Sequence, residues 1–151
     1  MPEKSRDNQG LQVKEYSHDN EKAPMKLEHI AINLSDPQAA ARWYAEHLGL
    51  QLLLENSTPP FIHFLSDAEG GMLEFYSNPQ GAVPDYRTMS PFTLHLAFTV
   101  TAIAAARERL LAAGASAEGE ITTTPAGDQL AFLRDPWGVP LQLVKRREPF
   151  G

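Results

Sequence analysis

The sequence predicts an α+β fold built from two tandem βαβββ modules. Three observations carry the prediction: a strand–helix–three-strand pattern that occurs twice, a near-constant offset between the copies, and helix stops at matching places. The offset is 66 residues from His29 to His95 (95 − 29), 65 from Gly49 to Gly114 (114 − 49) and 68 from Glu74 to Gln142 (142 − 74). Local strings agree as well, HIAINL with HLAFTV and MLEFY with PLQLV. A repeat of this length is a duplicated supersecondary unit, since solenoid periods fall at roughly 20–50 residues. Module one spans 26–78, a linker covers 79–91, and module two spans 92–148.

Module one opens with Leu27–Leu34, where Ile30, Ile32 and Leu34 alternate with His29, Ala31 and Asn33, the period of a strand with one covered face. Ser35-Asp36-Pro37 then supplies a cap residue followed by proline in the first helical turn. The helix runs to about Leu48, with Ala40, Trp43, Tyr44 and Leu48 as its buried stripe and Gly49 as its stop. Gln51–Glu55, Phe61–Leu65 and Met72–Tyr76 read as strands, separated by Pro59-Pro60 and the Asp67–Gly71 turn.

Module two repeats the order. Phe92–Val100 alternates Leu94, Leu96, Phe98 and Val100 with Thr93, His95, Ala97 and Thr99. Thr101 is the expected cap of a helix reaching Ala113, which Gly114 ends. Strands are expected near Glu118–Thr123, Leu130–Arg134 and Pro140–Lys145, the last two joined by Asp135-Pro136-Trp137-Gly138, a type I turn sequence.

Composition bounds what this fold can do. The chain has 151 residues, 13 Lys and Arg against 19 Asp and Glu, five His and no Cys. Without cysteine there is no disulfide, thiolate nucleophile, iron–sulfur cluster or cysteine-based zinc site. A net charge of −6 argues against nucleic acid as a partner, and no apolar run reaches the roughly 18 residues a membrane span needs. A cytoplasmic location is the expectation. Residues 1–25 are polar, with Leu11, Val13 and Tyr16 too few to make a core, so they read as a flexible N-terminal extension.

The chemistry lies on the uncovered strand faces. Alternation places His29, Glu74, His95 and Gln142 there, two from each module at repeat-related positions. Two imidazoles, one carboxylate and one amide are competent ligands for a borderline divalent ion. Their summed charge of −1 leaves a dication site near +1, which suits the stabilisation of an oxyanion. One buried strand histidine is ordinarily structural; four polar groups at matching positions call for a shared explanation, and metal binding supplies it.

At this point the sequence resembles the vicinal oxygen chelate superfamily, which groups glyoxalases, bleomycin resistance proteins and extradiol dioxygenases. LEHIAINLSD, WYAEHLGL, GGMLEFY, HLAFTV and DPWGVPLQLV fall where that family's recurrent motifs fall, over about Lys26–Arg147. The resemblance implies modules that form a cupped, partly open mixed β-barrel with helices outside, around one metal centre, in a homodimer. It implies His29 and Glu74 as module-one ligands and His95 and Gln142 as module-two ligands. The ion would be Zn, Ni, Co, Mn or Fe. It further implies a lyase or isomerase that holds a small substrate by vicinal oxygens and stabilises an enediolate-like oxyanion, with Glu74 as the catalytic proton carrier. Gln142 departs from the pattern, because glyoxalases and dioxygenases of this family usually place Glu there, and an amide cannot shuttle a proton because it does not titrate near neutral pH. Two alternatives therefore stay open: an Fe(II) or Mn(II) ring-cleaving dioxygenase using His29, Glu74 and His95, and a drug-binding protein without turnover.

Four further residues are candidates for the substrate. His63 would serve as an acid or base if its strand face is the concave one, and otherwise as a buried structural histidine. Tyr76 shares Glu74's face and could hydrogen-bond a ligand or form a wall. Arg87 in the linker could neutralise an anion or be merely solvated. Trp137, at a hairpin tip, could be a lid, a subunit contact or a ring packed on its own sheet.

Overall fold

The computed structural model describes residues 23–150, so the polar stretch 1–22 lies outside the described residues. Module one contains β1 (Ile30–Asn33), α1 (Pro37–Leu48), β2 (Gln51–Glu55), β3 (His63–Ser66) and β4 (Met72–Tyr76). Module two contains β5 (Leu96–Thr99), α2 (Ile103–Ala112), β6 (Ser116–Thr123), β7 (Gln129–Arg134) and β8 (Pro140–Lys145). Both modules thus have the predicted order.

Two four-stranded sheets result, ordered β1-β4-β3-β2 and β5-β8-β7-β6. In each, the first strand lies parallel to the last and the other pairs are antiparallel. The helix carries the chain across to the far edge and two hairpins bring it back, which leaves the first strand beside the fourth. Registers match between modules: Ala31, Glu74 and Phe64 stand abreast in one sheet, and Ala97, Gln142 and Phe132 in the other. The sheets are cupped and do not close into a barrel. Within the described residues β1 and β5 each have one strand neighbour, so both present an unpaired edge.

Several boundaries differ from expectation for local reasons. β5 begins at Leu96 rather than Phe92 because the Thr93 N–H closes a turn onto the Ser90 carbonyl at 2.9 Å. β3 begins at His63 because Phe61 adopts φ 57°, a left-handed conformation that cannot continue a strand. Thr101 does not cap α2; the cap residue is Ala102, which has no side-chain acceptor to offer. Asp36 does cap α1, accepting from the Ala39 N–H at 3.1 Å, and Gly49 ends that helix at φ 74°.

Each helix covers one face of its own sheet. Tyr44 from α1 is fully buried and meets Phe75 edge-on at 4.8 Å, with Ala40, Leu65 and Ile32 around it. In module two Ile103, Ala106 and Leu110 are buried with Leu133, Leu141 and Leu143. The modules meet through α1: Trp43 Nε1–H donates to the Ala113 carbonyl at 2.8 Å, and Tyr44 O–H donates to Asp135 Oδ2 at 2.8 Å. Asp135 Oδ1 also accepts the Trp137 and Val139 N–H groups, so this buried carboxylate ties the β7–β8 turn to α1. Burial raises the pKa of both partners, Tyr44 well above its ordinary value. Among the described residues no helix is long and apolar enough to cross a membrane.

Candidate metal centre

The parallel register of β1 with β4 sets Ala31 opposite Glu74. His29, two residues before Ala31, falls on the same face. Its Nε2 lies 3.3 Å from Glu74 Oε2, and its Nδ1 lies 2.9 Å from Glu28 Oε2. A neutral imidazole has one N–H. With Nδ1–H donating to Glu28, Nε2 turns its lone pair towards a carboxylate oxygen, an arrangement that a cation between the two relieves. A carboxylate holding the remote nitrogen is also how metal-ligating histidines are oriented.

Module two repeats the pose. His95 Nδ1 lies 2.7 Å from the Pro91 carbonyl, which fixes its N–H there and leaves Nε2 to present a lone pair. Gln142 stands at Glu74's register position. The rings are seated alike: His29 meets Phe64 edge-on at 5.2 Å and 88°, and His95 meets Phe132 at 5.3 Å and 87°. Residue reading missed these two phenylalanines, although their separation (132 − 64 = 68) equals that of Glu74 and Gln142.

One donor contact is formed, between His29 and Glu74. Among the described residues no three His or carboxylate groups converge on one point. A cleft of about 250 Å³ is lined by both His29 and His95, together with Leu50, Met72 and Phe98, but not by Glu74 or Gln142. A larger cavity, about 1030 Å³ along α2 and β5, includes none of the four donors.

The profile of the Glyoxalase/Bleomycin resistance protein/Dioxygenase superfamily matches residues 26–143. The chain belongs to that superfamily. It is 25% identical over 130 residues to a probable lactoylglutathione lyase of Vibrio parahaemolyticus, covering 82% of this chain and 92% of the other. A glyoxalase-related enzyme from Fulvimarina pelagi superposes with a TM-score of 0.66 at 25% identity, over 85% of this chain and 94% of its own. A glyoxalase family protein from Enterococcus faecalis gives 0.61 at 31% identity, over 80% of this chain and 97% of its own.

In this member of the superfamily three of the four substrate candidates sit away from the donors. His63 is fully buried on the opposite face, in register with Phe75, because Phe64 is the β3 residue abreast of Glu74. Its Nδ1 bonds the Phe61 carbonyl at 2.7 Å, and its buried Nε2, 3.9 Å from Glu55 Oε1, has no hydrogen-bond partner among the described residues. His63 thus occupies the place of a buried structural histidine. Arg87 instead fastens the linker to the hairpin, donating to the Pro136 carbonyl at 2.5 Å and packing so close to Gly138 that a Cβ there would meet its Cγ. Trp137 packs against Trp43 at 6.3 Å in the seam between modules. Tyr76 alone keeps its predicted place, on Glu74's face in register with Asn33.

Other side chains hold this face in shape. Asn33 donates to the Asn78 and Gly81 carbonyls at 3.1 and 2.9 Å and accepts the Asn78 N–H, which anchors the start of the linker. Tyr86 is buried and donates to the Asn33 carbonyl at 2.9 Å. Arg134 directs every N–H of its guanidinium to a partner: Glu118 at 3.2 and 2.8 Å, and the Tyr86, Met89 and Gly138 carbonyls. That pairing lowers the pKa of Glu118.

Proposed function

We propose that the chain is a metal-dependent enzyme of glyoxalase type that holds a small substrate by two neighbouring oxygens. The supporting observation is the His29–Glu74 contact at 3.3 Å, with His95 and Gln142 at the corresponding sequence and register positions of module two. His29 Nε2, the Glu74 carboxylate, His95 Nε2 and the Gln142 amide would hold a divalent ion of Zn, Ni, Co, Mn or Fe. When bound, that ion supplies positive charge against an oxyanion developing on the substrate. Glu74 is the proton carrier of the set, since the amide of Gln142 does not titrate and cannot act as acid or base. Glu28 and the Pro91 carbonyl keep the two imidazoles turned, each from its remote nitrogen.

The division of the four candidate donors between two sheets supports a homodimer. Sheet one of one copy would face sheet two of another, with the unpaired β1 and β5 edges brought together, so that each centre takes a donor pair from each copy. A second reaction type is favoured by one observation, the amide at 142: with Glu74 as sole carboxylate, the set is two histidines and one carboxylate, suited to Fe(II) oxygenation.

Elemental analysis of protein purified without chelator tests the proposal. A bound divalent ion that is lost in His29→Ala supports it. Protein that carries no divalent ion, and gains no thermal stability from added Mn, Fe, Co, Ni or Zn, would overturn it. Oxygen uptake with catechols, against turnover of 2-oxoaldehyde adducts, separates the two reaction types.

A further inference from the structure

The two modules also differ where β5 borders α2, at a place that holds none of the four candidate donors. A groove of about 1030 Å³ follows α2 and β5, and Phe98, Val100, Ala106 and Val144 supply its apolar floor. Ile32, Leu34 and Ala40 precede Phe98, Val100 and Ala106 by 66 residues, and in module one all three are buried. In module two Phe98 and Val100 are only half-buried, so part of the same apolar wall is left uncovered among the described residues.

Four replacements between the copies change the charge of this wall, all in one direction. Asp36 gives way to Ala102, Trp43 to Arg109, Ser77 to Lys145 and Asn78 to Arg146, each a step of +1 in a chain whose net charge is −6. Arg146 is already engaged: it donates to Asp128 Oδ2 at 2.9 Å and lies under the Phe150 ring at 4.6 Å. Arg109 and Lys145 both line the groove and are exposed, and neither has an acid within ion-pair distance among the described residues. Glu69, from the β3–β4 turn, is the one acid among the lining residues.

An occupant that suits this groove must bring both apolar surface and negative charge. A small inorganic anion would leave the floor wet, and a neutral hydrocarbon would gain nothing from the two cations. A carboxylate on a hydrocarbon chain satisfies both, since guanidinium and ammonium groups bond carboxylate oxygens strongly and each fully buried methylene multiplies affinity by about 4.

We infer that the α2–β5 groove is a second binding site, one that takes an alkyl-chain monocarboxylate. The carboxylate rests on Arg109 and Lys145, and the chain lies along Phe98, Val100, Ala106 and Val144. The inference is independent of the metal-centre reading, because the groove contains no donor of that centre.

Calorimetric titration of the chelator-treated full chain tests it, with octanoate, decanoate, 1-octanol and octyltrimethylammonium as probes below their micelle concentrations. Octanoate is expected to bind about 5-fold or more tightly than octanol, and octanol more tightly than the ammonium, since the three share one chain and differ in head-group charge. Decanoate should bind about 4- to 16-fold more tightly than octanoate, the effect of two partly to fully buried methylenes. Arg109→Ala combined with Lys145→Ala should bring octanoate down to the affinity of octanol and leave octanol itself unchanged, which also reads that the variant is folded. Octanol binding the wild type as tightly as octanoate, or octanoate indifferent to the double substitution, overturns the inference. So does a full chain that shows no saturable binding of decanoate, the result expected where a second copy or residues 1–22 already cover the groove.

Discussion

Module one sets His29 against a carboxylate, Glu74, at 3.3 Å, whereas module two has an amide, Gln142, at the register position that corresponds to Glu74. Everything around the donors is alike: the ring angles of 88° and 87°, the alanine abreast of each donor, and the remote nitrogen of each histidine fixed by an oxygen. The helix caps diverge in the same manner. Asp36 and Ala102 have nearly the same backbone, φ −135° ψ 77° and φ −128° ψ 87°, yet only Asp36 supplies an acceptor. Duplication has therefore kept the backbone register, which many residues determine together, and released the donor chemistry, which single side chains determine.

The largest effect should come from making the two donor pairs identical. Glu74→Gln leaves two amides and no carboxylate, and should weaken divalent-metal affinity by at least about 100-fold, the upper end of what even remote ligand partners contribute. Gln142→Glu should tighten it by restoring a second anionic ligand. Metal titration calorimetry on both variants measures the asymmetry directly.

The seam between modules should respond less strongly. Tyr44→Phe deprives the buried Asp135 Oδ2 of its donor and should lower stability by about 1–3 kcal/mol, read from denaturant midpoints. Burial holds Asp135 above its usual range despite the opposing hydrogen bonds. The folded state thus binds this proton more readily than the unfolded state. The group's contribution is least favourable above its folded pKa and improves as pH falls through that value towards the unfolded 3.8. Glu118 has the opposite sign, since Arg134 lowers its pKa and its stabilisation is lost as pH falls through the folded value. Comparing wild type with Asp135→Asn across the acid range isolates the Asp135 part, which the amide should remove and Tyr44→Phe should enlarge.

The smallest effect concerns the caps. Asp36→Ala should cost about 1 kcal/mol, and Ala102→Asp should gain a similar amount because the backbone at 102 already has cap geometry. Thermal midpoints of the two single variants and the double variant would show whether module two gains what module one loses.

Much of this was legible in the chain. Strand alternation placed His29 with Glu74's face and His95 with Gln142's, because a two-residue period depends only on local backbone geometry. The stop at Gly49 and the cap at Asp36 were equally local. His63, Arg87 and Trp137 resisted the same reasoning. Which face of β3 is concave depends on where α1 packs, and whether Arg87 or Trp137 reaches a ligand depends on how the linker and hairpin fold back on the other module. Asn33, Tyr86 and Asp135 gave no periodic signal, since each bonds a partner at least 45 residues away.

The sequence by itself determined the duplicated unit, the faces of its strands and the four candidate donors, all consequences of short-range periodicity and a repeat offset. Tertiary structure decided how far those candidates meet: His29 reaches Glu74 because β1 and β4 are parallel neighbours, while Gln142 stands on the other sheet. It also decided what surrounds them, setting Phe64 and Phe132 against the histidines and engaging the nearby guanidinium of Arg134 elsewhere. The physical reason is that side-chain direction is a local property of a strand, whereas distance between strands and the fate of a long side chain are settled by packing.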